Sequence, residues 1–254
     1  MYIKKTYDLG DVREVYRYYR GNQGAPGRQR DSKKKKTPEG VAKQNQKYKE
    51  KKVQRLILMN FHEGDWHLTL TYRPDKRPGS MKEAKEQIQN FLGKIRTAYK
   101  KAGIPFRYIY VTERGKKGAC HHHLIIEDIN KGNVQTTKLV QKFWKHGNRS
   151  FIPLYQDGEF ENLAAYIVKK ETKEEGAGCS YSRSRNLIIP EPKIEKIHAR
   201  RWRKEPKASK GWYIEKETLT NGENPYTGNP YQSYRERRIR TEKERRKVCC
   251  IMRN

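Results

Sequence analysis

The chain has 254 residues, of which 33% are hydrophobic, and its 58 Lys and Arg against 29 Asp and Glu give a net charge of +29. So little apolar material excludes one compact core over the whole length and predicts a central core with basic, partly mobile ends. The charge selects a polyanion as partner, nucleic acid first, and the lack of a long apolar run, of a signal peptide and of a basic amphipathic helix with a strong apolar face argues for a cytoplasmic protein without a membrane partner.

Residues 1 to 40 read as a mobile basic arm, with Gly and Pro followed by Lys33 to Lys36 and local structure expected only around Asp11 to Arg20. Thr37-Pro38-Glu39 is a helix start: a capping hydroxyl, proline in the first turn, then an acid. Trp66 to Tyr72 alternates as a strand does. Ser80 with Glu83 three residues on is a capping box, and Ala84, Ile88, Phe91, Leu92, Ile95 and Tyr99 recur on one face of the helix that follows.

Phe106 to Glu127 holds two aromatic and β-branched runs around Gly115-Lys-Lys-Gly118, the pattern of an antiparallel hairpin. Side chains alternate along a strand, so His121, His123 and Ile125 share a face while His122 and Leu124 turn away. Pairing Glu113 with His121 would pair Val111 with His123. Two imidazoles and a carboxylate would then converge at the open end of the hairpin, a donor set suited to a divalent metal. Structural histidines at a strand end fit the same pattern, and the hairpin alone does not fix the chemistry.

A helix from about Thr137 to Trp144 and a strand from Arg149 to Tyr155 follow, then a turn at Asp157-Gly158. Phe160, Leu163, Ala164 and Ile167 make a helical stripe with Tyr166 on its border and Lys169 one turn on. Taken alone, Tyr166 reads as a packing residue and Lys169 as a solvated charge. Arg183 and Arg185, with hydroxyls between them, suit phosphate contacts and equally suit a solvated loop. Trp212 to Ile214 reads as a strand, Asn221 to Tyr234 as a turn-rich tyrosine segment, and Arg235 to Lys247 as a charged helix or tail. The four cysteines show no CxxC spacing, so neither a zinc ribbon nor a disulfide framework is indicated. A nucleotide-binding P-loop and an internal repeat are absent too.

Three segments in order carry a resemblance: Leu68-Thr69-Leu70-Thr71-Tyr72, His121-His122-His123 before Leu-Ile-Ile, and Tyr166-Ile167-Val168-Lys169. Together they resemble the HUH endonucleases, specifically the single-tyrosine rolling-circle replication initiators of small bacterial plasmids and phages. The resemblance covers about Phe61 to Lys170. It departs from the family pattern at His122, where an aliphatic residue is usual, which leaves open which two histidines bind metal; alternation favours His121 and His123. Position 170 is lysine, so no second tyrosine follows four residues on.

The resemblance implies an α+β fold, a central antiparallel sheet with flanking helices of the HUH, ferredoxin-like kind. It implies domains at 1–53 (basic arm and helix), 54–175 (endonuclease core), 176–234 (extension with DNA-contacting loops) and 235–254 (charged tail). It also implies Tyr166 as nucleophile, Lys169 as its helper, and His121, His123 and Glu113 as ligands of Mn²⁺ or Mg²⁺. Arg183, Arg185 and Lys170 would contact DNA. The expected partners are single-stranded DNA at a replication origin and the host helicase and polymerase. Relaxases and single-tyrosine transposases share this chemistry, and a non-catalytic nucleic-acid binder on a similar sheet is the rival of another class. A two-histidine, one-carboxylate iron oxygenase would need a His-x-Asp/Glu pair, which the chain lacks.

Overall fold

The computed structural model describes residues 1–20, 37–115, 118–132, 134–154, 160–168, 181–224 and 226–239. In chain order these form β1 (Tyr2–Asp8), β2 (Val12–Tyr18), α1 (Pro38–Asn60), β3 (Trp66–Thr71), α2 (Met81–Lys101), β4 (Tyr108–Arg114) and β5 (Cys120–Ile126). There follow β6 (Asn130–Lys131), β7 (Val134–Gln135), α3 (Thr136–Phe143), β8 (Arg149–Pro153), α4 (Glu161–Ile167) and β9 (Ser182–Arg183). The last are β10 (Lys193–Ile197), β11 (Trp212–Ile214), β12 (Thr220–Glu223) and β13 (Pro230–Arg238). They group into two compact units, one drawn from residues 46–188 and the other from 1–45 with 189–254.

The 46–188 unit is built on a five-stranded sheet in the order β8-β3-β5-β4-β9, with every pairing antiparallel. Strand alternation sorts its side chains into two cores. Leu68, Leu70, Tyr108, Tyr110, Leu124 and Ile126 meet the apolar stripe of α2 and Val140 and Trp144 around α3. Ile109 and Ile125, on the other face, meet Val53, Leu56 and Ile57 of α1 and Ala164 and Ile167 of α4. Helices therefore cover both faces, where the sequence reading expected one. The cause is α1, whose apolar residues are confined to its last turns and made a weak stripe over its whole length.

Local signals behave as their chemistry requires. Thr37 Oγ1 accepts from the Gly40 amide at 3.1 Å and starts α1. Ser80 Oγ accepts from the Glu83 amide at 3.2 Å and starts α2. The Glu83 carboxylate reaches back one residue further than in a capping box, to the Gly79 amide at 2.8 Å. Gly147 lies so close to β3 that a Cβ there would collide with the Thr71 carbonyl.

The other unit is an antiparallel sheet of six strands, β10-β1-β2-β13-β11 with β12 also paired to β13. Residues 2–18, read from sequence as an arm, are two of its strands. Tyr2, Ile3, Val12 and Val15 are buried in it. Arg235 to Arg238, assigned by their charge to a helix or tail, complete β13. The Asp157-Gly158 turn and residues 240–254 lie outside the described residues.

Candidate metal centre and tyrosine

The hairpin has the register that alternation requires: Glu113 faces His121 and Val111 faces His123 across β4 and β5. A Glu113 carboxylate oxygen and one nitrogen each of His121 and His123 lie within 4.8 Å of one another and could hold a metal ion. His121 Nε2 is 3.4 Å from Glu113 Oε2. Two borderline nitrogen donors with one hard oxygen, leaving coordination positions open, fit a divalent cation such as Mn²⁺ or Mg²⁺. Glu113 is only 2% exposed and His123 9%, so an uncompensated carboxylate here would be costly and a dication would offset it.

Helix α4 brings the tyrosine to this cluster. Ala164 and Ile167 are buried in the core beneath the sheet, which turns Tyr166, on the border of that stripe, toward β4 and β5. The α4 entry is fixed by Phe160, buried and in the left-handed region at φ 59°, a conformation that a large side chain adopts only under tertiary constraint. Tyr166 Oη donates to Glu113 Oε2 at 3.0 Å and lies 2.7 Å from His123 Nε2. The phenol has one proton, so the second bond requires His123 Nε2–H to donate. Thr69 Oγ1, 3.2 Å from His123 Nδ1, then donates to that nitrogen. Metal ligation through Nε2 needs the opposite tautomer, with Nδ1–H donating to Thr69, and Thr69 serves both because a hydroxyl donates or accepts.

Burial, then the Glu113 charge, raises the Tyr166 pKa, so the phenol is held neutral. Burial pushes His123 down to about 4, with His121 adding to the effect, so it too is neutral and free to ligate. His122 points to the other face. Its ring is fully buried, Nε2 bonds Tyr72 Oη and Nδ1 bonds Thr112 Oγ1, both at 2.8 Å. Burial holds it down at about 3, so it is a neutral core residue.

The structure thus brings together four predicted residues: Glu113, His121, His123 and Tyr166. Lys169 and Lys170 lie outside the described residues. Arg183 and Arg185 lie apart from the cluster, lining a cavity beside α2 with Tyr108 and Tyr110, which alternate with Ile109 and Val111 and so face away from Glu113. Sequence reasoning gave no role to Thr69 or His67. Both are on the metal-facing side of β3, and the His67 ring is 5.6 Å from that of His123. The alternation of Trp66 to Thr71 was the available signal. It marks a face without marking which hydroxyl meets which ring.

Residues 65–175 match the family of the Replication-associated protein ORF2. No curated protein and no solved structure matches the chain.

Proposed function

From the premise that residues 65–175 are a replication-associated segment of the ORF2 family, we propose that this chain initiates rolling-circle replication by nicking and rejoining single-stranded DNA through Tyr166. The observation that carries the proposal is the Tyr166 hydroxyl, hydrogen-bonded inside a cluster able to hold a divalent metal.

In the reaction, Tyr166 Oη attacks a backbone phosphorus. The bond from phosphorus to the 3′ oxygen breaks, leaving a 5′-phosphotyrosyl protein and a 3′ oxygen that takes a proton from water to become a priming hydroxyl. Attack by another 3′-hydroxyl reverses the step and joins strands. The phenol gives its proton toward Glu113 Oε2, which already accepts it as a hydrogen bond. A phenol raised in pKa is a weak nucleophile and needs positive charge nearby. Lys169, one turn beyond Tyr166, supplies one cation. A bound Mn²⁺ or Mg²⁺ would supply the rest by neutralising Glu113 and the charge that develops on the phosphate. Thr69 is a positioning residue that sets the His123 ring.

Arg183, Arg185 and Lys170 hold the DNA backbone, and the rest of the basic surface steers the strand. The chain works in the cell interior with the host helicase and polymerase; no described helix is long and apolar enough to cross a membrane. In functional terms residues 54–175 are the endonuclease core, preceded by a basic arm and helix over 1–53 and followed by an extension over 176–234 and a charged tail over 235–254.

The test is incubation with single-stranded oligonucleotide pools and Mn²⁺, followed by a denaturing gel. A covalent protein–DNA band that chelation abolishes is expected. Binding without any such band would leave only a nucleic-acid-binding protein.

A further inference from the structure

A cavity of about 970 Å³ opens between α2 and the edge strand β9, within the size range of small-molecule sites. Arg96 and Lys100 of α2, Tyr108 and Tyr110 of β4, and Arg183 and Arg185 line it, and no carboxylate does. It belongs to the sheet face opposite the metal cluster, because Tyr108 and Tyr110 alternate with Ile109 and Val111.

The site is built rather than loose. The Ser184 amide donates to the Tyr108 carbonyl at 3.0 Å, and the Tyr108 amide donates back to Ser184 Oγ at 3.2 Å. Asn186 Nδ2 donates to the Phe106 carbonyl at 3.2 Å. These bonds hold the segment that carries both arginines against β4. Across the cavity, Arg96 donates to Tyr108 Oη at 2.8 Å, with its guanidinium 5.9 Å from the ring centroid. One cation is thereby fixed beside an aromatic wall whose next ring, that of Tyr110, is 6.1 Å away.

We propose that this cavity binds one nucleotide of a single DNA strand, the phosphate on the cations and the base against the tyrosines. The strand passes around the β9 edge, so the cavity anchors it at a point away from the scissile phosphate. Cations without acids select a phosphate. Aromatic surface beside them suits a base, and stacking favours an unpaired one. The proposal rests on the single-stranded DNA reading above.

The experiment uses the full chain and oligonucleotides carrying 5-iododeoxyuridine at successive positions, cross-linked by light and mapped by mass spectrometry. Cross-links at one oligonucleotide position are expected to fall within residues 96–110 or 182–186. In parallel, Arg96→Ser with Lys100→Ser should weaken single-strand affinity about tenfold and reduce the salt slope by about 1.4, at about 0.7 per lost phosphate contact. The melting curve should be unchanged. Cross-links only elsewhere, or a double variant of wild-type affinity and slope, would overturn the proposal. So would binding of free deoxynucleoside phosphates in the cavity with no strand cross-link there, which would make it a nucleotide site instead. Pocket cross-links in a wild type that forms no covalent adduct would sink the nuclease reading and leave the pocket standing.

Discussion

Three consecutive histidines do three different jobs, and single substitutions separate them. His121→Ala or His123→Ala removes a ligand atom from the cluster and should lower Mn²⁺ affinity at least tenfold by titration calorimetry. His122→Ala should leave that affinity near wild type yet cost stability. It opens a cavity beside Trp144 and strands the Tyr72 and Thr112 hydroxyls, at about 1–3 kcal/mol for each buried polar group left unsatisfied. Chemical denaturation measures that loss. A His122→Ala protein that folds normally and loses metal would contradict the register. The same ring predicts a pH response. His122 is held at about 3 in the folded chain against an ordinary 6.5, so the unfolded chain takes up a proton first as pH falls. Its contribution is complete above pH 6.5 and is lost between about 6.5 and 3. His123 acts in the same sense. Asp65, pushed up to about 6 by burial, acts oppositely between about 4 and 6, but the two histidine shifts are the larger sum. Stability should therefore fall from pH 6.5 to 4, and the His122 ring signals in NMR should not move above pH 5.

At the scale of elements, local signals were legible and distant pairings were not. The β4–β5 hairpin closes over a short Gly-bounded turn, so alternation alone assigns the faces of Glu113, His121 and His123. Thr37 and Ser80 announced α1 and α2 because a cap acts within three residues. β1 and β2 were obscured by their charge. The residues that make them strands sit in the second half of the chain: Tyr2 pairs with Ile197 and Tyr18 with Tyr231. No window of sequence contains both partners. The docking of α4 was half legible: its stripe predicted a buried face, but nothing in it said that Tyr166 would meet Glu113. The contact between residue 147 and β3 was invisible for the same reason. Gly147→Ala should force the 146–148 segment off β3, breaking the bonds from the Thr71 and Arg73 amides to Asn148 and His146. We expect a loss on the order of 2 kcal/mol, read by thermal or urea unfolding. A silent Gly147→Ala would show that this segment packs more loosely.

For the whole molecule, a charge of +29 makes binding of single-stranded DNA a counterion-release reaction. If Arg96, Lys100, Lys169, Lys170, Arg183 and Arg185 each meet a phosphate, log affinity should fall against log salt with a slope on the order of −4. Fluorescence anisotropy across a salt series measures it, and a slope near zero would mean that the basic surface does not track a strand. Metal and tyrosine depend on one unit, residues 46–188, so all the proposed chemistry belongs to that unit while the second sheet adds basic and aromatic surface. The most direct test of the central claim is a single-turnover reaction with single-stranded DNA and Mn²⁺, with mass spectrometry of the tryptic peptide that carries DNA. The account predicts a phosphotyrosyl adduct at Tyr166 that disappears in a folded Tyr166→Phe protein. An adduct that persists in Tyr166→Phe, or that maps to Tyr155, Tyr181 or another tyrosine, would contradict it.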